Sequence, residues 1–147
     1  MRSCRRLHVQ RRLHLANNTI VVAVNFTFAN STVRWQVPNK VTVNHGDDDT
    51  IQWNLNSGSL PPGAASAKFA QTNPIQFVTV KNNQTGSTWT GPAPVRVSDT
   101  QVTVDDDNTA PAITKTYYYS INVSTYDANG VLLNTYTMDP DVENPGN

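Results

Sequence analysis

From Thr19 onward, apolar and polar residues alternate with a period of two, the pattern of strands that bury one face. Residues 19–28 (TIVVAVNFTF) predict a first long strand. Residues 32–37 (TVRWQV) follow after Asn30-Ser31, and residues 40–44 (KVTVN) follow Pro38-Asn39. His45-Gly46 and the run Asp47-Asp48-Asp49 predict a turn into residues 50–55 (TIQWNL). There Ile51, Trp53 and Leu55 point to one face and Gln52 and Asn54 to the other. Residues 56–66 (NSGSLPPGAAS) read as a long loop. Further strands are expected over residues 75–81, 87–90, 101–105, 116–126 and 131–137. Asp127-Ala128-Asn129-Gly130 joins the last two as a hairpin, because Asn-Gly readily supplies positive φ. The tail after Met138, with two prolines, reads as an edge segment or loop. No stretch carries a helical period. The expected fold is all-β: a single Greek-key β-sandwich of eight or nine strands over residues 17–147.

Composition narrows this further. Asn (17) and Thr (18) supply the polarity, while charged residues make up only 15% of the 147. Thr favours strands and Asn favours turns. A helical bundle, rich in Ala, Glu, Lys and Leu, is excluded, because Glu occurs once. One cysteine, Cys4, cannot pair within the chain, so this is no disulfide scaffold. No apolar run approaches the ~18 residues of a membrane span.

The zero net charge joins two unlike pieces. Residues 1–46 hold seven basic residues and no acidic one, whereas residues 47–147 hold four basic and all eleven acidic residues. Arg2, Arg5, Arg6, Arg11 and Arg12 fall in the first twelve residues. Residues 1–16 are expected to be a disordered leader. Arg5, Arg6, Arg11 and Arg12 form a contact surface for phosphates, nucleic acid or a neighbouring subunit if the leader acts as an arm. After them, Leu13-His14-Leu15-Ala16 runs into Asn17-Asn18, too short an apolar stretch for a secretory signal.

Two stretches resemble the cupredoxin family. Val41-Thr42-Val43-Asn44-His45-Gly46-Asp47, followed by Ile51-Gln52-Trp53-Asn54-Leu55, is similar to that family's strand, Gly-Asp turn and strand. Thr116-Tyr117-Tyr118-Tyr119-Ser120-Ile121-Asn122-Val123 resembles the aromatic-rich strand that leads to its copper site. The alternation itself is shared with immunoglobulin-like sandwiches. The resemblance implies a Greek-key sandwich but not its metal chemistry, since blue-copper sites use two His, a Cys and a weak axial Met. Ile121 stands where the family has its cysteine, Ser124-Thr125-Tyr126 replace the following His, and residues 56–66 hold no His. Met138 alone makes no site, so no cofactor is expected.

Other chemistry is sparse. Cys4, His8 and His14 share the leader with five arginines, which repel a divalent cation, and His45 reads as an exposed turn residue. The acidic runs offer Asp47, Asp49, Asp105 and Asp107 as candidate calcium ligands, although no run matches a known calcium loop. Equally, they solvate the ends of a low-charge sandwich and block edge pairing. There is no G-x-S-x-G and no Gly-rich phosphate loop. N-x-[ST] occurs at Asn17, Asn25, Asn30, Asn83 and Asn122, close to what an Asn-, Ser- and Thr-rich chain contains by composition alone.

The aromatics Trp35, Trp53, Trp89, Phe26, Phe28, Phe69 and Phe77 are expected to fill the core. Because Tyr117, Tyr118 and Tyr119 are consecutive, Tyr118 faces away from its neighbours, toward solvent or a carbohydrate or protein partner. The resulting expectation is a non-catalytic accessory or binding module whose partner is another protein or a second copy. Two other readings stay open: a structural subunit of a virion or surface assembly with a basic arm, and a weak calcium-binding protein.

Overall fold

Alternation along the strands builds two facing layers. The computed structural model describes residues 18–45, 49–81, 83–106 and 113–138. These form an all-β sandwich of twelve strands with no helix among the described residues. In chain order they are β1 (Thr19–Ala29), β2 (Thr32–Gln36), β3 (Lys40–His45), β4 (Thr50–Ser57), β5 (Ser66–Phe69) and β6 (Ile75–Val78). Then come β7 (Val80–Lys81), β8 (Gln84–Thr85), β9 (Val95–Ser98), β10 (Gln101–Asp105), β11 (Ile113–Tyr126) and β12 (Leu132–Met138).

The first sheet has the order β2-β1-β4-β10-β9. Its central pair, β1 and β4, is parallel, with Val22 opposite Trp53, and β10 adds Val102 opposite the same Trp53. That row, with Ile51, Val104, Val24 and Leu55 beside it, is the inner face. The second sheet is organised around β11, fourteen residues long, which pairs with β3, β5, β6 and β12. Asn122 sends both backbone groups to the β5–β6 connection: its C=O accepts from Ala70 at 3.0 Å and its N–H donates to Pro74 at 2.8 Å. β5, that connection and β6 therefore run along one edge of β11. Tyr118 pairs with both Lys40 and Val78, so β3 lies on the other edge, in line with β12.

Between the layers, aromatic rings meet edge to face, the geometry their quadrupoles favour. Trp53 is fully buried and crosses Tyr119 at 5.5 Å and Phe77 at 5.9 Å. Phe26 packs against Trp35 at 5.1 Å and Tyr136 at 5.6 Å. Of the aromatics expected inside, Trp53, Phe26, Phe69 and Trp35 are buried, Phe77 and Trp89 are half-buried against the core, and Phe28 is half-buried outside the core cluster.

The strand pattern departs from expectation in five places. β5, β8 and β9 fall in stretches without a predicted strand. Residues 75–81 break at Thr79 into β6, which stays on β11, and β7, which pairs with β8. Residues 87–90 form no strand, because that segment is held by its side chain rather than by a ladder. Trp89 stacks on Phe77 at 4.4 Å and 14°, and its Nε1 donates to the carbonyl of Pro92 at 2.8 Å.

A neutral groove across the second sheet as the candidate functional site

The contact role expected of Tyr118 does not hold. Its side chain does leave the core face of β11, but it is only 8% exposed. The β7–β8 hairpin folds over it, and its hydroxyl donates to Gln84 Oε1 at 3.0 Å. Gly86 makes room for the ring, since a Cβ there would lie 2.7 Å from Tyr118 Cδ2. The N–H of Ser87 donates to the Thr116 carbonyl at 2.9 Å and pins the cover down. Tyr118 is thus a buried anchor for a hairpin.

Of the acidic candidates, Asp49 and Asp105 come to one end of the first sheet. Asp49 is 3% exposed and accepts from Asn18 Nδ2 at 3.0 Å, while its carbonyl accepts from the Asp106 N–H at 2.8 Å. Asp105 accepts from Thr50 Oγ1 at 2.8 Å. These bonds tie the start of β1 to the start of β4 and the end of β10. Among the described residues no group of three His, Cys, Asp or Glu gathers. Asp47, Asp107 and the arginines Arg5, Arg6, Arg11 and Arg12 lie outside the described residues, as does the side chain of His45.

The two outer faces differ in what their amides do. On the first sheet, Gln52 Nε2 and Gln101 Nε2 both donate to Asn54 Oδ1, at 3.1 and 3.4 Å, and Asn56 Nδ2 donates to Asn25 Oδ1 at 3.3 Å. The amides satisfy one another along β4 and across to β1 and β10.

On the second sheet the outer face is concave. Asn122, Ser124 and Tyr126 of β11 form the floor of a groove of about 420 Å³. One wall is the β5–β6 connection, with exposed Gln71, Thr72 and Asn73 and then Gln76, and the other is Leu132 and Thr135 of β12. The floor is fixed from both sides. Asn122 Nδ2 donates to the Asn73 carbonyl at 2.8 Å, and its Oδ1 accepts from Thr137 Oγ1 at 2.6 Å. Ser124 Oγ and Thr135 Oγ1 lie 2.8 Å apart. The ring of Tyr126 carries Lys68 Nζ at 5.1 Å from its centroid, a cation–π contact that holds the ring in place.

A second groove of about 350 Å³ adjoins this one, sharing Asn73 and Gln76 in its lining. It runs along β6 to Trp89, Ala93 and Pro94. Trp89, held by its stack on Phe77, stands at one end of the joint surface and Tyr126 at the other. Neither lining contains a carboxylate, a cationic side chain, an imidazole or a thiol.

No protein-family model matches the chain, and no curated protein matches it either.

Sequence reasoning placed Tyr126 at the end of an aromatic strand and Trp89 on a strand of its own, with no reason to join them. The wall between them, residues 70–76, carries no motif. Its only sequence signal is a run of Gln, Thr and Asn after the apolar Phe69-Ala70. No helix of the described chain is long and apolar enough to cross a membrane.

Proposed function

We propose that the protein is a non-catalytic binding module whose joint groove takes a neutral, polyhydroxylated chain, a glycan. The observation that carries this is the lining: planar amides and hydroxyls at a concave surface, an aromatic ring at each end, and no charged side chain among the lining residues, the nearest being Lys68 on the Tyr126 ring. Amides offer paired donors and acceptors that match vicinal hydroxyls, and an aromatic ring covers the apolar face of a sugar. An anionic ligand such as nucleic acid needs several cationic partners, whereas the one cation described at this surface, Lys68, is paired with Asp99. General acid–base or nucleophilic catalysis most often uses a carboxylate, imidazole, thiol or amine within reach of the ligand, and none of these lines the groove.

For the scaffold we propose a cupredoxin-like sandwich without the copper set. The parallel pair β1–β4 supports that over an immunoglobulin-like arrangement, whose sheets are antiparallel. Ile121, at the family's cysteine position, is fully buried among core residues.

Affinity electrophoresis through gels containing neutral polysaccharides, followed by calorimetric titration with the matching soluble oligosaccharides, tests the reading. Retardation by at least one neutral polymer is expected, weakened at least tenfold in Tyr126→Ala and in Gln76→Ala. Both variants should keep the native circular dichroism spectrum. Absence of retardation on every neutral polymer, or equal retardation of both variants, would overturn it.

A further inference from the structure

The sheet edges are unequally protected. Natural edge strands avoid pairing with other chains by being short, by carrying charge or proline, or by bulging. β2 carries Arg34 and is followed by Pro38, and β3 begins with Lys40. β9 has four residues, contains Arg96, follows Pro92 and Pro94, and has an irregular register with β10. β12 is different. Its seven residues, Leu132–Met138, contain no charge and no proline, and among the described residues it pairs with β11 alone. Its register with β11 shifts only at its start, between Leu132 and Asn134, and runs unbroken from Asn134 to Met138.

The open side of β12 follows from the register. Asn122 directs its backbone groups to the β5–β6 side, so its partner Thr137 directs its own away from β11. By the period of two, Thr135 does the same, while Leu133 falls in the register shift between Leu132 and Asn134. The Thr135 N–H bonds instead to the side chain of its neighbour, Asn134 Oδ1, at 2.9 Å, a local substitute for a strand partner. Beside this edge, Val131, Leu132 and Leu133 are 57%, 55% and 47% exposed. They are the only run of three consecutive exposed large apolar residues among the described residues, a pattern that marks an interaction surface.

We infer that β12 pairs antiparallel with β12 of a second copy of this chain, extending the β11 sheet across a twofold axis. Charge selects this occupant. Self-pairing about a twofold sets a strand against its own sequence, so any charged residue near the axis meets its like, which destabilises the pair. Of the edge strands compared, β12 meets that demand, whereas β2, β3 and β9 would set Arg34, Lys40 or Arg96 near its like. The net charge of zero adds no long-range repulsion between copies.

Sedimentation equilibrium of the full chain over a range of concentrations tests this, with two charge variants, Leu133→Lys/Thr135→Lys and Leu133→Glu/Thr135→Glu. The wild type is expected to be a dimer. Each variant alone should be monomeric with a native circular dichroism spectrum, and an equimolar mixture of the two should recover the dimer, because Lys then faces Glu in any antiparallel register centred on β12. A wild type that stays monomeric at the highest concentration overturns the proposal, as does a dimer indifferent to both variants. A wild-type monomer that dimerises once residues 139–147 are deleted would assign the edge to the chain's own tail and overturn it as well. The readout is mass, so loss of glycan retardation in Tyr126→Ala leaves it unaffected, and the two proposals fail separately.

Discussion

Lys68 and Asp99 join the two sheets: the ammonium of β5 lies 3.3 Å from the carboxylate in the β9–β10 turn, and the Phe69 N–H donates to the Asp99 carbonyl at 2.8 Å. Arg96 reaches the same junction, with its guanidinium on the Asp99 carboxylate and its Nε donating to the Phe69 carbonyl at 3.2 Å. Hydrogen bonds from Arg96, then from Lys68, hold the Asp99 carboxyl below its ordinary 3.8. A lowered folded value means the contribution is present above 3.8 and is lost as the pH falls through the folded value. Asp99→Asn is therefore expected to lower stability at neutral pH, by no more than the ~1 kcal/mol of exposed pairs, since the carboxylate is half in water. Urea midpoints of the two proteins should converge in acid, and a gap that persists there would show that the effect is not electrostatic.

Tyr119 is fully buried against Trp53, and its hydroxyl donates to the carbonyl of Pro38, between β2 and β3. Tyr119→Phe leaves that carbonyl without its donor and should cost ~1–2 kcal/mol. Burial also raises the hydroxyl's pKa well above its ordinary 10.0. Above 10.0 the unfolded chain releases this proton while the folded chain keeps it, so the wild type loses stability as the pH rises. Tyr119→Phe should show a shallower alkaline decline in thermal melts. A decline as steep as the wild type's would rule Tyr119 out as its source.

The layers were legible where one strand face is buried. Ile51, Trp53 and Leu55 alternate with polar residues because β4 lies in the middle of a sheet with only its inner face covered. β9 inverts the rule: Val95 and Val97 are 61% and 57% exposed, so its V-x-V pattern marks no core face. β5 is four residues with a lysine inside, too short for a period to show. Tyr118 misled for a related reason: alternation tells which side of β11 a residue takes, and not that a hairpin 34 residues away will cover it. The groove was illegible because its wall and floor meet only through pairs such as Asn73 and Asn122, 49 residues apart.

Gly86 offers a direct test of the Tyr118 cover. A Cβ at this position would meet the ring at 2.7 Å and the backbone carbonyl of Thr116 at 3.2 Å. Overpacking against a ring and a fixed carbonyl costs ~1–3 kcal/mol, so Gly86→Ala should destabilise by that much. Trimming the ring relieves the clash, so Gly86→Ala combined with Tyr118→Leu should cost less than the sum of the two single changes. Strict additivity in denaturant unfolding would show that the hairpin does not rest on Tyr118.

The β1–β2 hairpin turns on Asn30 and Ser31, with φ of 52° and 62°, between the paired residues Ala29 and Thr32. Two left-handed residues in a two-residue loop make a type I′ turn, which matches the twist of the strands it joins. Asn tolerates that conformation; Ser pays for its Cβ, at ~1–2 kcal/mol. Glycine removes that strain but adds disorder to the unfolded chain, worth ~0.5–1 kcal/mol. The difference favours Ser31→Gly, which should raise stability by ~0.5–1 kcal/mol. Ser31→Ala keeps a Cβ and loses the hydroxyl, so it should bring no gain. Melting temperatures ordered Gly above Ser, with Ala no higher than Ser, would locate the strain at this one backbone position; equal values for Gly and Ala would place it elsewhere.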